Sequence, residues 1–217
     1  MNFTLIVRQL CNGFLQTLLI FSLTLLFSLP LGLLVTFGRR SRFKPLQWLM
    51  RIYISIMRGT PLMLQLLVVC YGPYYLFKLP LSTGWRFIAL IIGFVVNYAA
   101  YFAEIYRSGI ESIPSGQYEA ANVLGYSRAH TFIKIILPQM IKRVIPPVTN
   151  EIITLVKDTS LAFVLAFTEM FTLAKQIAAK ETNITPLLVA GLFYFVFNFI
   201  VAIVMERIEK AMAYYSI

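Results

Sequence analysis

The stretch QLCNGFLQTLLIFSLTLLFSLPLGLLVTFG, running from Gln9 to Gly38, decides the fold. It contains no Asp, Glu, Lys or Arg. A hydrocarbon core about 30 Å thick is crossed by about 20 apolar residues in helical form, so a single helix here is long enough. The stretch is too long for the apolar part of a signal peptide, and the basic cluster follows it rather than preceding it. It reads as a retained membrane helix.

The rest of the chain is built the same way. Of 217 residues, 59% are hydrophobic and 13% charged, and the mean hydropathy is +0.77. A soluble domain of this length would show more charge. The polar groups here are too few to cover the apolar surface, so lipid must cover it. The net charge of +10 would suggest a nucleic-acid partner on a soluble protein. No stretch interleaves basic and aromatic residues in a polar context, so nucleic acid is set aside. Lys and Arg instead sit at the ends of apolar segments, where they fix orientation. Cys11, Cys70 and the lone His130 give no metal-ligand spacing and no disulfide framework. Both cysteines read as buried free thiols.

Five spans are expected, and the fold class is an all-α polytopic membrane protein. They cover about 12–37, 53–77, 87 to beyond 104, one region within 144–173, and 185–205. As one helix, 144–173 would be about 45 Å long, against a core of about 30 Å, and two crossings would need roughly 40 residues. It therefore supplies one interrupted span. Lys157-Asp158-Thr159-Ser160 marks the interruption, with Asp158, Thr159 and Ser160 read as residues that restart a helix. Arg58-Gly59-Thr60-Pro61 weakens the second span near its start. The loops after spans one and three and the final tail hold most of the basic residues, among them Arg39, Arg40, Arg42, Lys44, Arg128, Lys142 and Arg207. The other side holds Arg8, Lys78, Arg86, Lys175 and Lys180. Cytoplasmic loops carry the basic excess, so the N-terminus is expected outside and the C-terminus in the cytoplasm. Residues 1–217 are expected to form a single transmembrane domain, with a cytoplasmic loop at 108–138 between spans three and four.

That loop is the polar island of the chain. Ser115 reads as a helix cap, with Glu119 near the positive end of the helix dipole. Ala120 and Ala121 favour a helix without adding bulk, and Gly125 can end it in a left-handed conformation. Tyr126-Ser127 opens a second short helix, which Pro138 is expected to stop. On these residues alone, a helix pair lying on the membrane and a docking elbow for another protein fit equally well.

Candidate binding residues come from polar groups inside the spans. Asn97, Tyr101, Glu104 and Ser108 recur at helical spacing and share one face. A buried carboxylate needs a partner or water. Glu104 either pairs with Arg107 one turn on, or faces a cavity and meets a cationic group. Asp158 either caps the break or works with the end of a half-helix and the hydroxyls of Thr159 and Ser160 to hold a zwitterion. Lys157 can instead neutralise it. Glu151 is a weaker candidate, and Arg58 is either interfacial or part of a gate.

The pattern Glu119-Ala120-Ala121, three residues, Gly125, nine residues, Ile135, one residue, Leu137-Pro138 resembles the signature loop of permease subunits in bacterial binding-protein-dependent ABC importers. Three further stretches resemble the polar amino acid branch: YISIMRGTPLMLQ at 53–65, YFAEIYRSGIESIPSGQ at 101–117 and NEIITLVKDTSL at 150–161. GFLQTL at 13–18 fits as well. Together they cover more than a third of the chain in the expected order. Met140-Ile141 departs from the pattern, where a small residue is more usual.

The resemblance implies an ATP-driven importer of polar amino acids in the bacterial inner membrane. It implies that Glu119, Ala120, Ala121 and Gly125 contact a cytoplasmic ATPase dimer, which binds ATP and magnesium. It also implies a second permease copy, identical or closely related, and an extracytoplasmic substrate-binding protein. The chain has no Gly-Lys pair and hence no phosphate-cradling loop, so no enzyme activity and no cofactor are expected in it. Cationic amino acids are the expected substrates, because Glu104 and Asp158 can meet both an ammonium and a cationic side chain. Glutamine or another polar amino acid is the alternative. An ion-driven carrier or channel using the same carboxylates needs no ATPase. An intramembrane enzyme is more remote, since His130 stands alone in the loop.

Overall fold

The computed structural model describes residues 3–212, and among these there are helices and turns but no strand. Nine helices follow in order: α1 (Phe3–Arg39), α2 (Lys44–Gly59), α3 (Leu62–Phe77), α4 (Thr83–Glu111), α5 (Ser115–Val123), α6 (Arg128–Thr131), α7 (Leu137–Asp158), α8 (Met170–Glu181) and α9 (Thr185–Ala211). Helices α1, α4 and α9 are each long and apolar enough to cross a membrane. The count reaches the expected five when two bent pairs are each taken as one span.

Helix α4 is the centre. Phe94, Tyr98, Phe102 and Tyr106 recur every four residues, and each ring lies 6.2–6.4 Å from the next. Helix α1 packs along α4 and α8 through a face of small and hydroxyl residues that includes Gly13, Thr17, Thr24, Ser28, Gly32 and Thr36. Such residues let backbones approach closely in lipid, where apolar burial gives no preference between helix and tail. The Thr36 hydroxyl donates to the Ala103 carbonyl at 3.1 Å, tying α1 to α4. The opposite face of α1 exposes Leu15, Leu26 and Leu34, as suits a lipid contact. Helix α9 packs on α1 through Phe14, Phe193, Phe197 and Phe21, while Phe195 and Phe199 stay exposed. Cys70 is buried as expected, but Cys11 is exposed.

The second span is not one weakened helix. It is two helices whose axes differ by 112°. Pro61 has no N–H and pushes the preceding residue out of helical conformation. Thr60 is accordingly extended (φ −123°, ψ 149°). The carbonyls freed by the break find partners inside the fold. The Gln65 side-chain amide donates to Met57 O at 3.0 Å and Thr60 O at 3.1 Å, and the Asn97 amide donates to Met57 O at 3.2 Å.

The fourth span also breaks, with a 58° bend before α8. Its details correct the expectation. Asp158 ends α7 rather than starting a helix, and Thr159–Leu165 continues as a 3₁₀ segment. The Thr159 and Ser160 hydroxyls each donate at 2.7 Å to carbonyls three residues back, which closes a turn rather than opening one. The restart comes at Glu169. Its buried carboxylate accepts from the Phe171 and Thr172 backbone N–H groups at 2.6 and 2.7 Å.

Candidate functional site

Two features deserve the name of site: a polar cavity between α2, α4 and α7, and the exposed elbow that joins α4 to α7. The cavity is about 280 Å³. Tyr101, Glu104 and Ser108 line it from α4, Arg143, Pro147 and Glu151 from α7, and Arg58 from the end of α2. Three of the four residues expected to share a face therefore do line one cavity. Asn97 does not. Its amide is buried and held by Gln65 Oε1 at 2.9 Å, so it supports the α2–α3 break instead.

The charges of the cavity are unevenly matched. Arg39 and Arg107 both form ion pairs with Glu104, and Arg58 Nη1 lies 3.9 Å from it. The Arg58 guanidinium also sits over the Tyr101 ring, 5.5 Å from its centroid. Arg107 pairs with Glu111 as well. Glu104 is thus surrounded by cations of its own chain, and the ion pair with Arg107 is part of the reason. Glu151 makes no ion pair or hydrogen bond among the described residues. Asp158 lies off this cavity and accepts a hydrogen bond from the Tyr98 hydroxyl at 2.8 Å. Thr159 is buried against its own backbone, which leaves its hydroxyl engaged.

The elbow follows from local chemistry. Pro114, not Ser115, occupies the cap position of α5, and no side chain caps it. At the other end Gly125 has φ +77°, a conformation that favours glycine. Tyr126 N–H donates to Ala121 O and Gly125 N–H to Asn122 O, both at 3.0 Å. These two bonds satisfy the last carbonyls of the helix in a Schellman arrangement. Ala121 is 1% exposed and faces the chain's own interior, whereas Val123 and Leu124 at the tip are 86% and 71% exposed. Glu119 and Ala120 remain on the exposed side. Ser127 caps α6, accepting from His130 N at 3.2 Å, and the His130 ring stacks on Tyr126. Pro138 does not stop this helix. A π turn over Phe132–Ile136 widens the ladder, and the chain runs directly into α7 with Pro138 in its first turn, where a missing N–H costs least.

Both ends of the elbow are tied to the cavity. The same α4 that carries Tyr101, Glu104 and Ser108 ends three residues before α5. The same α7 that carries Pro147 and Glu151 leaves α6 through the π turn. Arg143 Nη1 donates to Ser112 O at 2.5 Å, pinning α7 to the end of α4.

Sequence reading missed three residues that shape the site. Glu169 gave little signal because Glu is not a common cap. Gln65, four residues after the helix-breaking Pro61, is a foreseeable partner for freed carbonyls. Arg39 belongs to a cluster that orientation alone already explains.

Comparison with known proteins completes the picture. The chain is 35% identical over 210 residues to the L-cystine transport system permease protein of Bacillus subtilis, covering 95% of this chain and 87% of that one. It is 34% identical over 200 residues to the arginine transport system permease protein of the same organism, covering 92% and 90%. The solved structure described as an amino acid ABC transporter with histidines superposes with a TM-score of 0.87 at 28% identity, covering 97% of this chain and 99% of that one. The methionine ABC transporter in an inward-facing conformation shares the fold, with a TM-score of 0.71 at 18% identity, covering 98% and 100%. The model of the binding-protein-dependent transport system inner membrane component matches residues 28–214, and this chain belongs to that family.

Proposed function

We propose that this chain is the transmembrane subunit of an ATP-driven importer of polar amino acids. One observation carries the reading: the two helices that enter and leave the exposed elbow are two of the three that wall the polar cavity. A partner that moves Val123 and Leu124 moves both walls. Family membership supports an ATPase dimer as that partner, binding ATP and magnesium, with Glu119, Ala120 and Gly125 at the contact. Ala121 supports the contact from beneath. A second permease copy, identical or related, completes the pathway, because a bundle with so few spans leaves the cavity open on one side. An extracytoplasmic binding protein delivers the substrate. The basic excess at the elbow end supports a cytoplasmic elbow and C-terminus, with the N-terminus outside.

In this account Arg58 lies at a gate and attracts the substrate carboxylate, Glu151 takes the ammonium within the cavity, and Asp158, off the cavity, meets a cationic side chain that reaches beyond it. Tyr101 and Ser108 add contacts, with Ser160 beside Asp158. Arginine, lysine and histidine remain the proposed substrates, on the strength of two carboxylates without ion-pair partners among the described residues. Glu104 no longer adds to that preference, because Arg39 and Arg107 occupy it. That occupancy favours the second reading, glutamine or another polar amino acid, in which one carboxylate suffices. The test is uptake of labelled arginine into proteoliposomes holding the permease with its ATPase and binding protein. Competition by lysine and histidine above glutamine is the expected order. Equal competition by glutamate would remove the cationic preference.

A further inference from the structure

Two cavities outside the proposed pathway share Phe37 as a lining residue. The first, about 550 Å³, lies between the end of α1 and the elbow, and Arg40, Arg128, Tyr118 and Tyr126 line it together with Glu119. The second, about 520 Å³, is an apolar groove of Leu31, Leu34, Leu46 and Met50 between α1 and α2. Phe37 lines both. Neither Arg40 nor Arg128 has a side-chain hydrogen bond or ion pair among the described residues, and Glu119 pairs with neither. Close by in the chain, Phe43 and Trp48 are exposed next to Arg42 and Lys44, the mixture of aromatic and basic residues found where a membrane meets water.

We propose that the two neighbouring cavities together bind one anionic phospholipid of the cytoplasmic leaflet. Its phosphate lies against Arg40 and Arg128 and one acyl chain lies in the groove along Leu34 and Leu46. Charge complementarity selects the occupant. Two unpaired guanidiniums face one carboxylate, so an anion is favoured over a zwitterionic headgroup. The adjoining apolar groove then selects an anion that carries a hydrocarbon chain over free phosphate. The lipid bridges α1, α2 and the elbow, so it stiffens the elbow against the bundle. The proposal rests on the elbow end being cytoplasmic. Its test reads lipid retention rather than transport, so its failure is distinct from failure of the importer reading.

The experiment is native mass spectrometry of the permease assembled with its ATPase, released from nanodiscs of equal phosphatidylglycerol and phosphatidylcholine. Retained phosphatidylglycerol is expected to exceed phosphatidylcholine. Replacing both arginines (Arg40→Gln with Arg128→Gln) should lower its retention about 25-fold, since each surface arginine contributes about a fivefold factor. The variant Arg40→Lys with Arg128→Lys should keep most of it, and Leu46→Trp, which fills the groove, should lower it with both arginines intact. Equal retention of the two lipids would overturn the proposal, as would unchanged retention in the Gln variant. Competition by glycerol phosphate as strong as by the intact lipid would show that the groove takes no part. Lipid held by the permease alone but lost on adding the ATPase would give the cavity to the ATPase.

Discussion

Gly109 of α4 lies so close to Val144 of α7 that a Cβ on the glycine would sit 2.2 Å from Val144 Cγ1. No real Cβ contact is that short, and the branched Val144 side chain has few rotamers in a helix with which to withdraw. The contact joins the two cavity walls one turn above the elbow. Together with the Arg143–Ser112 hydrogen bond it ties α7 to the end of α4 beside the elbow.

Gly109→Ala should therefore cost about 1–3 kcal/mol, the usual cost of overpacking a fitted contact. Thermal unfolding in detergent should show the loss. The double variant with Val144→Ala should recover most of it, because the added methyl then has room. A double variant as unstable as the sum of the singles would mean the contact is not shared.

At the elbow, Gly125→Ala should cost about 1–2 kcal/mol, since a Cβ in the left-handed region meets the following carbonyl. The effect on function should be larger than on stability. The two bonds that close α5 fix the direction of Val123 and Leu124, and a frayed tip no longer fits a groove. ATPase stimulation by the delivered substrate should fall at least severalfold while the protein still elutes as a single species. Normal stimulation would show that the cap geometry does not matter to the partner.

Asn97→Leu should destabilise by about 1–3 kcal/mol, because Gln65 Oε1 and the Met57 carbonyl lose a buried donor. Substrate selectivity among the amino acids tested should not change, since Asn97 does not line the cavity. A selectivity change without a stability change would return Asn97 to the binding site.

Glu104 and Glu151 should separate cleanly. Glu104→Gln leaves Arg39 and Arg107 facing each other without their shared anion, so the melting temperature and uptake should both fall with the order of competing substrates unchanged. Glu151→Gln removes a carboxylate that makes no hydrogen bond or ion pair among the described residues, so stability should hold while competition by lysine and arginine weakens. Competition assays and thermal unfolding on the same preparations read both effects. The reverse pattern would exchange the two roles.

Much of this was legible beforehand because lipid imposes simple rules. The charge-free run from Gln9 to Gly38 had to be a helix, since every backbone group needs a partner within it. The elbow was legible because Gly125 and the Glu-Ala-Ala run are local signals, although α4 runs on to Glu111 and the chain passes Pro138 into α7 without a stop. The breaks were legible in place but not in form. Pro61 marks where the backbone must yield, but the freed carbonyls at the 112° turn are met by the nearby Gln65 amide and by Asn97, whose amide comes from 40 residues away. Asp158, Thr159 and Ser160 read as a helix start, but in the fold the Thr159 and Ser160 hydroxyls bond back to carbonyls three residues earlier, and the cap is Glu169. Pro138 looked like a stop because a π turn leaves no trace in composition. The neutralisation of Glu104 by Arg39 is a contact 65 residues apart, which no local pattern carries.

The central claim is that force enters this chain at Val123 and Leu124. The most direct measurement is accumulation of labelled arginine, or of glutamine if that is the substrate, in sealed proteoliposomes, with the ATPase and binding protein present or absent. The account predicts accumulation against a gradient only with ATP and the full assembly, and its loss when Val123→Asp and Leu124→Asp are combined. Accumulation by this chain alone, driven by an ion gradient, would contradict it.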